Sequence, residues 1–362
     1  FLYFIGVNCA AMFAAGMLGA VFGAGGTLAY FEMTGASNVT GRGGKRSAKE
    51  SPQPSKAVDA PVQASKSWPA KKGDVSMEIY HKLARFGLPS NDTVFVKEGY
   101  VSSFDAQRRI PRWVMELVTP ATIETKEARR DGSKFYANTD IAEPFRATNA
   151  DYAAAGLSRG HLAPAQFHKD SQAAMDATFD LSLNAVPQDM AANATDWLRV
   201  EQLCKRLAKE SFERLYVVTG PVFMPKELPP ERPKKGAKVA PEAAKPRKVV
   251  QYELVGKHDV AVPTHLFKAI LAERRDGSTA FASFVVPNEP IPDEKPLTAY
   301  LVPKETLEKW TGLQFFQNAP NAASLPSICA SVKCEASAGG LGSSYRNVAK
   351  LKAAPTVQVL ER

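Results

Sequence analysis

Residues 1–31 contain no charged side chain. An apolar run of about 20 residues crosses a bilayer core as a helix, so this segment predicts an N-terminal transmembrane helix. A cleaved signal peptide is the competing expectation, but its apolar core is shorter, about 7–15 residues. Gly19 and Gly23 stand at a GxxxG spacing, which permits close helix contact in lipid. The pattern changes over 32–75, where Ser, Pro, Lys, Ala and Gly dominate and a flexible basic linker is predicted. From residue 76 the periodicities are those of a folded domain. Apolar runs of strand length occur at 113–118, 215–219 and 281–286. Over 193–212, Trp197, Val200, Cys204 and Leu207 recur at helical spacing. Strands and helices mixed without regular βαβ alternation predict an α+β domain over 76–335, with a mostly antiparallel sheet flanked by helices. Residues 336–362 are expected to form a C-terminal tail.

Composition adds a bias toward anionic partners. The chain has 362 residues, 44% hydrophobic and 23% charged, with a formal net charge of +9. That size suits one large domain or two small ones, and that charge favours nucleic acid or an acidic membrane face. The low-complexity insert at 225–248 holds eight basic and three acidic residues. It reads as a solvated loop or as a mobile electrostatic arm. Arg42, Lys45, Arg46 and Lys49 would favour keeping the linker on the side of synthesis, so membrane orientation stays open. The four cysteines are too few for a disulfide scaffold. Cys329 and Cys334 are close enough for one local bridge, with two free thiols as the alternative. No CxxC or Cys/His zinc spacing and no internal repeat is present.

Candidate chemistry centres on one of the five histidines, His161, in the run Ser158-Arg159-Gly160-His161-Leu162-Ala163-Pro164-Ala165. Arg159 and His161 are two apart, so on an extended segment they point to one face. A guanidinium that holds a phosphate oxygen, beside an imidazole that takes a proton from water, suits phosphodiester hydrolysis. A second cluster runs from Asn184-Ala185-Val186-Pro187-Gln188 to Asn193, Trp197 and Glu201. On an ideal helix Asn193 and Glu201 share a face, about 80° apart around the axis and about 12 Å along it. Asn193 is therefore expected to meet a metal directly, with Glu201 reaching it through water. Magnesium suits such a site, because it prefers oxygen ligands and keeps several waters. The plainer reading of Asn193 is a helix N-cap.

These segments together resemble the DNA/RNA non-specific endonucleases with a ββα-metal (His-Me finger) site, in the branch of mitochondrial endonuclease G and its exonuclease-like relatives. Pro111-Arg112-Trp113-Val114, Ala147-Thr148-Asn149-Ala150-Asp151-Tyr152, Val217-Val218-Thr219-Gly220-Pro221 and Val260-Ala261-Val262-Pro263-Thr264-His265 are similar to further family segments, over roughly residues 95–335. The resemblance implies His161 as general base, Asn193 as metal ligand and Glu201 as orienter of a water of the ion. It implies Arg159 as a phosphate contact, and a second contact at Arg130, with Arg129 and Lys134 as alternatives. Asn184 matches a site asparagine that shapes the histidine's surroundings. Mg²⁺ with Mn²⁺ as a substitute, DNA and RNA substrates, 5′-phosphate and 3′-hydroxyl products and a homodimer are implied likewise. So is a mitochondrial location, anchored in the inner membrane with the nuclease domain in the intermembrane space. Ser158 stands where the endonuclease branch has aspartate. Together with Phe284-Val285-Val286-Pro287-Asn288-Glu289 it leans toward the exonuclease-like relatives, so cleavage mode stays open.

Two rivals remain. Gly156-Leu157-Ser158-Arg159-Gly160 satisfies G-x-S-x-G, the nucleophile elbow of serine hydrolases, with Asp259 and His265 in the chain order of a triad. The other rival is a membrane-tethered nucleic-acid binder with an inactive nuclease fold.

Overall fold

Strands of alternating apolar residues build a six-stranded sheet in a computed structural model that describes residues 75–88, 93–229 and 246–353. In chain order the first strands are β1 (Val94–Lys97), β2 (Tyr100–Asp105), β3 (Ile110–Val118), β4 (Ser158–His161), β5 (Ala185–Gln188) and β6 (Arg214–Val222). There follow β7 (Lys226–Leu228), β8 (Arg247–Val249), β9 (Leu254–Val255), β10 (Val260–Ala261), β11 (His265–Glu273) and β12 (Thr279–Pro287). The large sheet runs β1-β2-β3-β6-β11-β12, and every pairing in it is antiparallel. The predicted strands at 113–118, 215–219 and 281–286 fall in β3, β6 and β12.

Both sheet faces are buried, and the alternation along each strand divides the side chains between two cores. Val114, Val118, Leu215, Val217, Leu266, Ile270 and Phe284 join Leu162, Trp197, Val200, Leu203 and Leu207 on one face. Trp113, Met115, Leu117, Tyr216, Val218, Phe267 and Leu271 pack on the other against Leu83, Phe86, Leu307, Phe315 and Phe316. The α+β expectation with a mostly antiparallel sheet therefore holds.

The helix that faces the first core starts earlier than its apolar spacing suggests. Asp189 caps it, accepting a hydrogen bond from the Ala192 amide at 2.9 Å. Met190–Ala192 is α-helical, Asn193–Trp197 forms a π turn, and Leu198–Glu210 continues as α-helix. Asn193 is thus not the N-cap; it is the first residue of the π turn, and the angular offset of an ideal helix does not carry over to Glu201. Wide turns of this kind occur often at functional sites.

The expected transmembrane segment at 1–31, the linker at 32–75 except its last residue, and the centre of the insert lie outside the described residues. Among the described residues no helix is long and apolar enough to cross a membrane. The ends of the insert pair as the β7–β8 ladder. Cys329 and Cys334 are joined in a disulfide, which settles that pairing, and Cys204 is buried and free. Within the expected C-terminal tail, Gly339–Ala353 is helical. Arg346 from this helix reaches the π turn, its Nη1 donating to Asp196 Oδ2 at 3.1 Å.

Candidate active site

The site is built on a ββα unit, in which β4 and β5 pair antiparallel and the π-turn helix follows. Arg159 stands opposite Pro187, Gly160 opposite Val186 and His161 opposite Ala185. A side chain at Gly160 would collide with Gln188, whose Oε1 lies 2.0 Å from an ideal Cβ there, so the ladder closes only with glycine between Arg159 and His161. The turn after His161 is clamped by Asn184, which is fully buried. Its Oδ1 accepts from the Ala163 amide at 2.8 Å, and its Nδ2 donates to the carbonyls of Ala163 at 2.9 Å and Thr178 at 2.8 Å. The side-chain amide is thus committed to backbone, and Asn184 shapes the turn rather than facing a substrate.

His161 sits between two aromatic rings that sequence reasoning missed. Its centroid lies 4.9 Å from Phe135 and 4.9 Å from Phe179. The same rings carry the two arginines. The Arg159 guanidinium lies 4.6 Å from the Phe135 centroid, and that of Arg130 lies 5.4 Å from Phe179. The order Arg159, Phe135, His161, Phe179, Arg130 thus forms a fan with a cation at each end. Arg159 also donates to Asn149 Oδ1 at 2.6 Å. Asn149 begins a short helix that is capped by a Thr148–Asp151 box. Arg129, one of the alternatives to Arg130, points to Asp131 instead, at 3.8 Å.

Burial, then the guanidiniums of Arg130 and Arg159 and the ring of His168, push the His161 pKa down to about 3. The imidazole is therefore neutral at neutral pH. Its Nε2 is buried and has no hydrogen-bond partner. Buried polar atoms rarely lack a partner, and a native exception calls for an explanation.

Glu201 joins this group through the chain that follows His161. Gln166 Nε2 donates to Glu201 Oε2 at 3.0 Å. Burial pushes the Glu201 carboxyl up to about 7; Lys268, Gln166 and Arg130 oppose that shift, and Glu116 reinforces it. Arg130 thus acts on both His161 and Glu201. Asn193, half-buried, stands on the same helix as Glu201, across the π turn. The elements bring His161, Arg159 and Arg130 into one fan, bond Glu201 to Gln166 of the segment that follows His161, and leave Asn184 behind the turn.

The serine-hydrolase rival fails on geometry. A helix, Asn149–Ala155, precedes Ser158, and a strand contains it, the reverse of the strand-to-helix elbow. The Ser158 hydroxyl donates to the Gln188 carbonyl at 2.8 Å. His265 lies on β11 with Nδ1 3.1 Å from Thr264 Oγ1.

Comparison with known proteins gives the family. Residues 80–322 match the family model described as DNA/RNA non-specific endonuclease. The chain is 36% identical over 284 residues to the mitochondrial nuclease EXOG of Homo sapiens, covering 77% of this chain and 72% of the relative. It is 35% identical over 274 residues to the mitochondrial endonuclease G of Bos taurus, covering 75% and 86%. A crystal structure of the EndoG/EndoGI complex aligns with a TM-score of 0.60 and 32% identity, covering 67% of this chain and 92% of that one. Fold and relatives together define a nucleic-acid-hydrolysing enzyme. Within that class, the chain belongs to the DNA/RNA non-specific endonuclease family.

Proposed function

We propose that this enzyme is a Mg²⁺-dependent, sugar-nonspecific nuclease with His161 as general base. The observation that carries the reading is the buried, unpartnered Nε2 of a neutral imidazole flanked by two guanidiniums. Arg159 and Arg130 would bind the nonbridging oxygens of one backbone phosphate. His161 Nε2 would take the proton of a water attacking phosphorus in line. A base with a pKa near 3 is weak, but the arriving phosphate carries the charge that offsets both arginines, so substrate binding itself raises the basicity of His161. Contacts to the backbone rather than to base edges account for action on DNA and RNA alike.

The donors on the helix, the Asn193 amide oxygen and the Glu201 carboxylate, are of the oxygen type that magnesium takes, and Mg²⁺ commonly uses one or two protein oxygens and keeps its waters. Asn193 would hold the ion through its amide oxygen, with Glu201 accepting hydrogen bonds from the ion's waters. Bound Mg²⁺, or Mn²⁺ in its place, would supply a Lewis acid beside the phosphate. By family resemblance the products carry 5′-phosphate and 3′-hydroxyl ends, and the enzyme is a homodimer. The names of the mitochondrial relatives support a mitochondrial location; there, segment 1–31 would anchor the chain in the inner membrane with the nuclease domain in the intermembrane space.

A plasmid-nicking assay with and without EDTA tests this reading. Wild type and Ser158→Ala are expected to nick in Mg²⁺ and to stop in EDTA, while Asn193→Ala is inactive in both. EDTA-resistant nicking, or an inactive but folded Ser158→Ala, would overturn it.

A further inference from the structure

Besides Ser102, whose hydroxyl donates to the Leu183 carbonyl, three polar residues stand in the largely apolar sheet face beneath the site. The alternation that sends Val114, Val118, Leu215, Val217, Leu266 and Ile270 into that core also sends Glu116, Thr219 and Lys268 there. Thr219 on β6 pairs laterally with Lys268 on β11 and with Val114 on β3. Lys268 is 0% exposed and Glu116 is 1% exposed. The Glu116 carboxylate is engaged by His168, whose Nε2 lies 3.0 Å from Oε2.

A lysine here needs a reason. Taking an ammonium out of water costs several kcal/mol even after relaxation, and leucine or methionine would fill the same strand position without that cost. The partners of Lys268 supply the reason. Its Nζ donates to Thr219 Oγ1 at 2.6 Å and to the Leu162 carbonyl at 3.3 Å, and it lies 5.1 Å from the centroid of the Trp197 ring. Leu162 directly follows His161, and Trp197 closes the π turn that opens at Asn193. One ammonium therefore touches the central sheet, the turn behind His161 and the helix that bears Asn193 and Glu201. It is also the strongest of the influences that favour the charged form of Glu201.

We propose that Lys268, seated by Thr219, is a positioning residue for the hydrolysis: a buried cation that holds the His161 turn in register with the Asn193–Glu201 helix. Lys268 touches neither substrate nor reacting atoms, and the proposal rests on the assignment of His161 and Asn193 made above. A cation at this point does what an apolar residue cannot. It bonds a main-chain carbonyl of one half of the site and an aromatic face of the other at the same time.

The test uses the full chain with Lys268→Met, which keeps length and bulk but loses the charge, and Thr219→Val, which keeps shape but releases Nζ. Thermal melting establishes the folded fraction, steady-state cleavage of a duplex oligonucleotide at varied concentration gives kcat and KM separately, and electron paramagnetic resonance of Mn²⁺ reads metal affinity without turnover. Lys268→Met is expected to lower kcat per folded molecule about 10²-fold, the cost of a misplacement near 1 Å, with KM changed less than about threefold. Mn²⁺ affinity is expected to fall about tenfold, as for other groups that orient a metal ligand. Thr219→Val should show the same signature at smaller amplitude, and it decides the matter should Lys268→Met fail to fold. Wild-type kcat and Mn²⁺ affinity in folded Lys268→Met, or in Thr219→Val if the former does not fold, overturn the proposal. His161→Ala in the same assay separates the two claims. If it retains turnover, the site assignment falls; if it loses turnover while the sheet variants do not, only the role of Lys268 falls.

Discussion

At the scale of single residues, burial sets the two titrations at the site and moves them past each other, reversing their ordinary order. His161 is pushed down to about 3 and Glu201 up to about 7, each held toward its neutral form. The Glu201 shift carries a sign that can be measured. Below its ordinary pKa of 4.5 the carboxyl is neutral in both folded and unfolded chains; between 4.5 and about 7 only the unfolded chain ionises. The buried carboxyl therefore costs stability as pH rises through that window, by on the order of 3 kcal/mol once it is complete. In metal-free buffer, Glu201→Gln should gain melting temperature relative to wild type between pH 4.5 and 8, and should show little difference at pH 4. A constant difference across that range would contradict the burial argument. His161, Arg159 and Glu201 were legible as chemistry because their residue types and spacing carry it. Phe135 and Phe179 were not, since ring contacts between segments leave no trace in either segment's pattern. Lys268 did leave one, a charge at an inward position of an apolar strand, which sequence reasoning passed over.

At the scale of elements, the helix of the site differs most from expectation. Its apolar spacing gave its buried face, but its start at Met190, its Asp189 cap and its π turn do not follow from periodicity, because an inserted residue shifts register without changing composition. The turn is braced from outside. Asp196, fully buried within it, accepts from Arg199 Nη1 at 2.8 Å and from Arg346 Nη1 at 3.1 Å. Arg199 in turn donates to the carbonyls of Lys295 and Ala336 and to Glu335, next to the disulfide-bonded Cys334. Arg346→Ala leaves a buried carboxylate with one partner fewer, which costs about 1–3 kcal/mol. Denaturant unfolding should show that loss, and hydrogen exchange should accelerate at 193–197. Unchanged stability and exchange would mean that the C-terminal helix does not support the turn.

At the scale of the whole molecule, three strands were readable from apolar runs, since a strand buried on both sides is apolar throughout, and the mostly antiparallel sheet from the lack of regular βαβ alternation; the core on the second face was not read from the sequence. The strand order was not readable, because lateral neighbours such as β3 and β6 are separated by the entire site-bearing segment. That separation is how the enzyme is built: the ββα unit is inserted between two central strands and sits on the face they share. The sheet supplies the floor and the unit carries most of the proposed reacting groups; membership of the DNA/RNA non-specific endonuclease family rests on the match over residues 80–322.

Single-turnover cleavage of a duplex oligonucleotide at saturating Mg²⁺ by His161→Ala, with melting temperature measured on the same sample, tests the assignment of His161 most directly. The account predicts a rate at least about 10²-fold below wild type from a protein that melts as wild type does. A rate near that of wild type from the folded variant would contradict it.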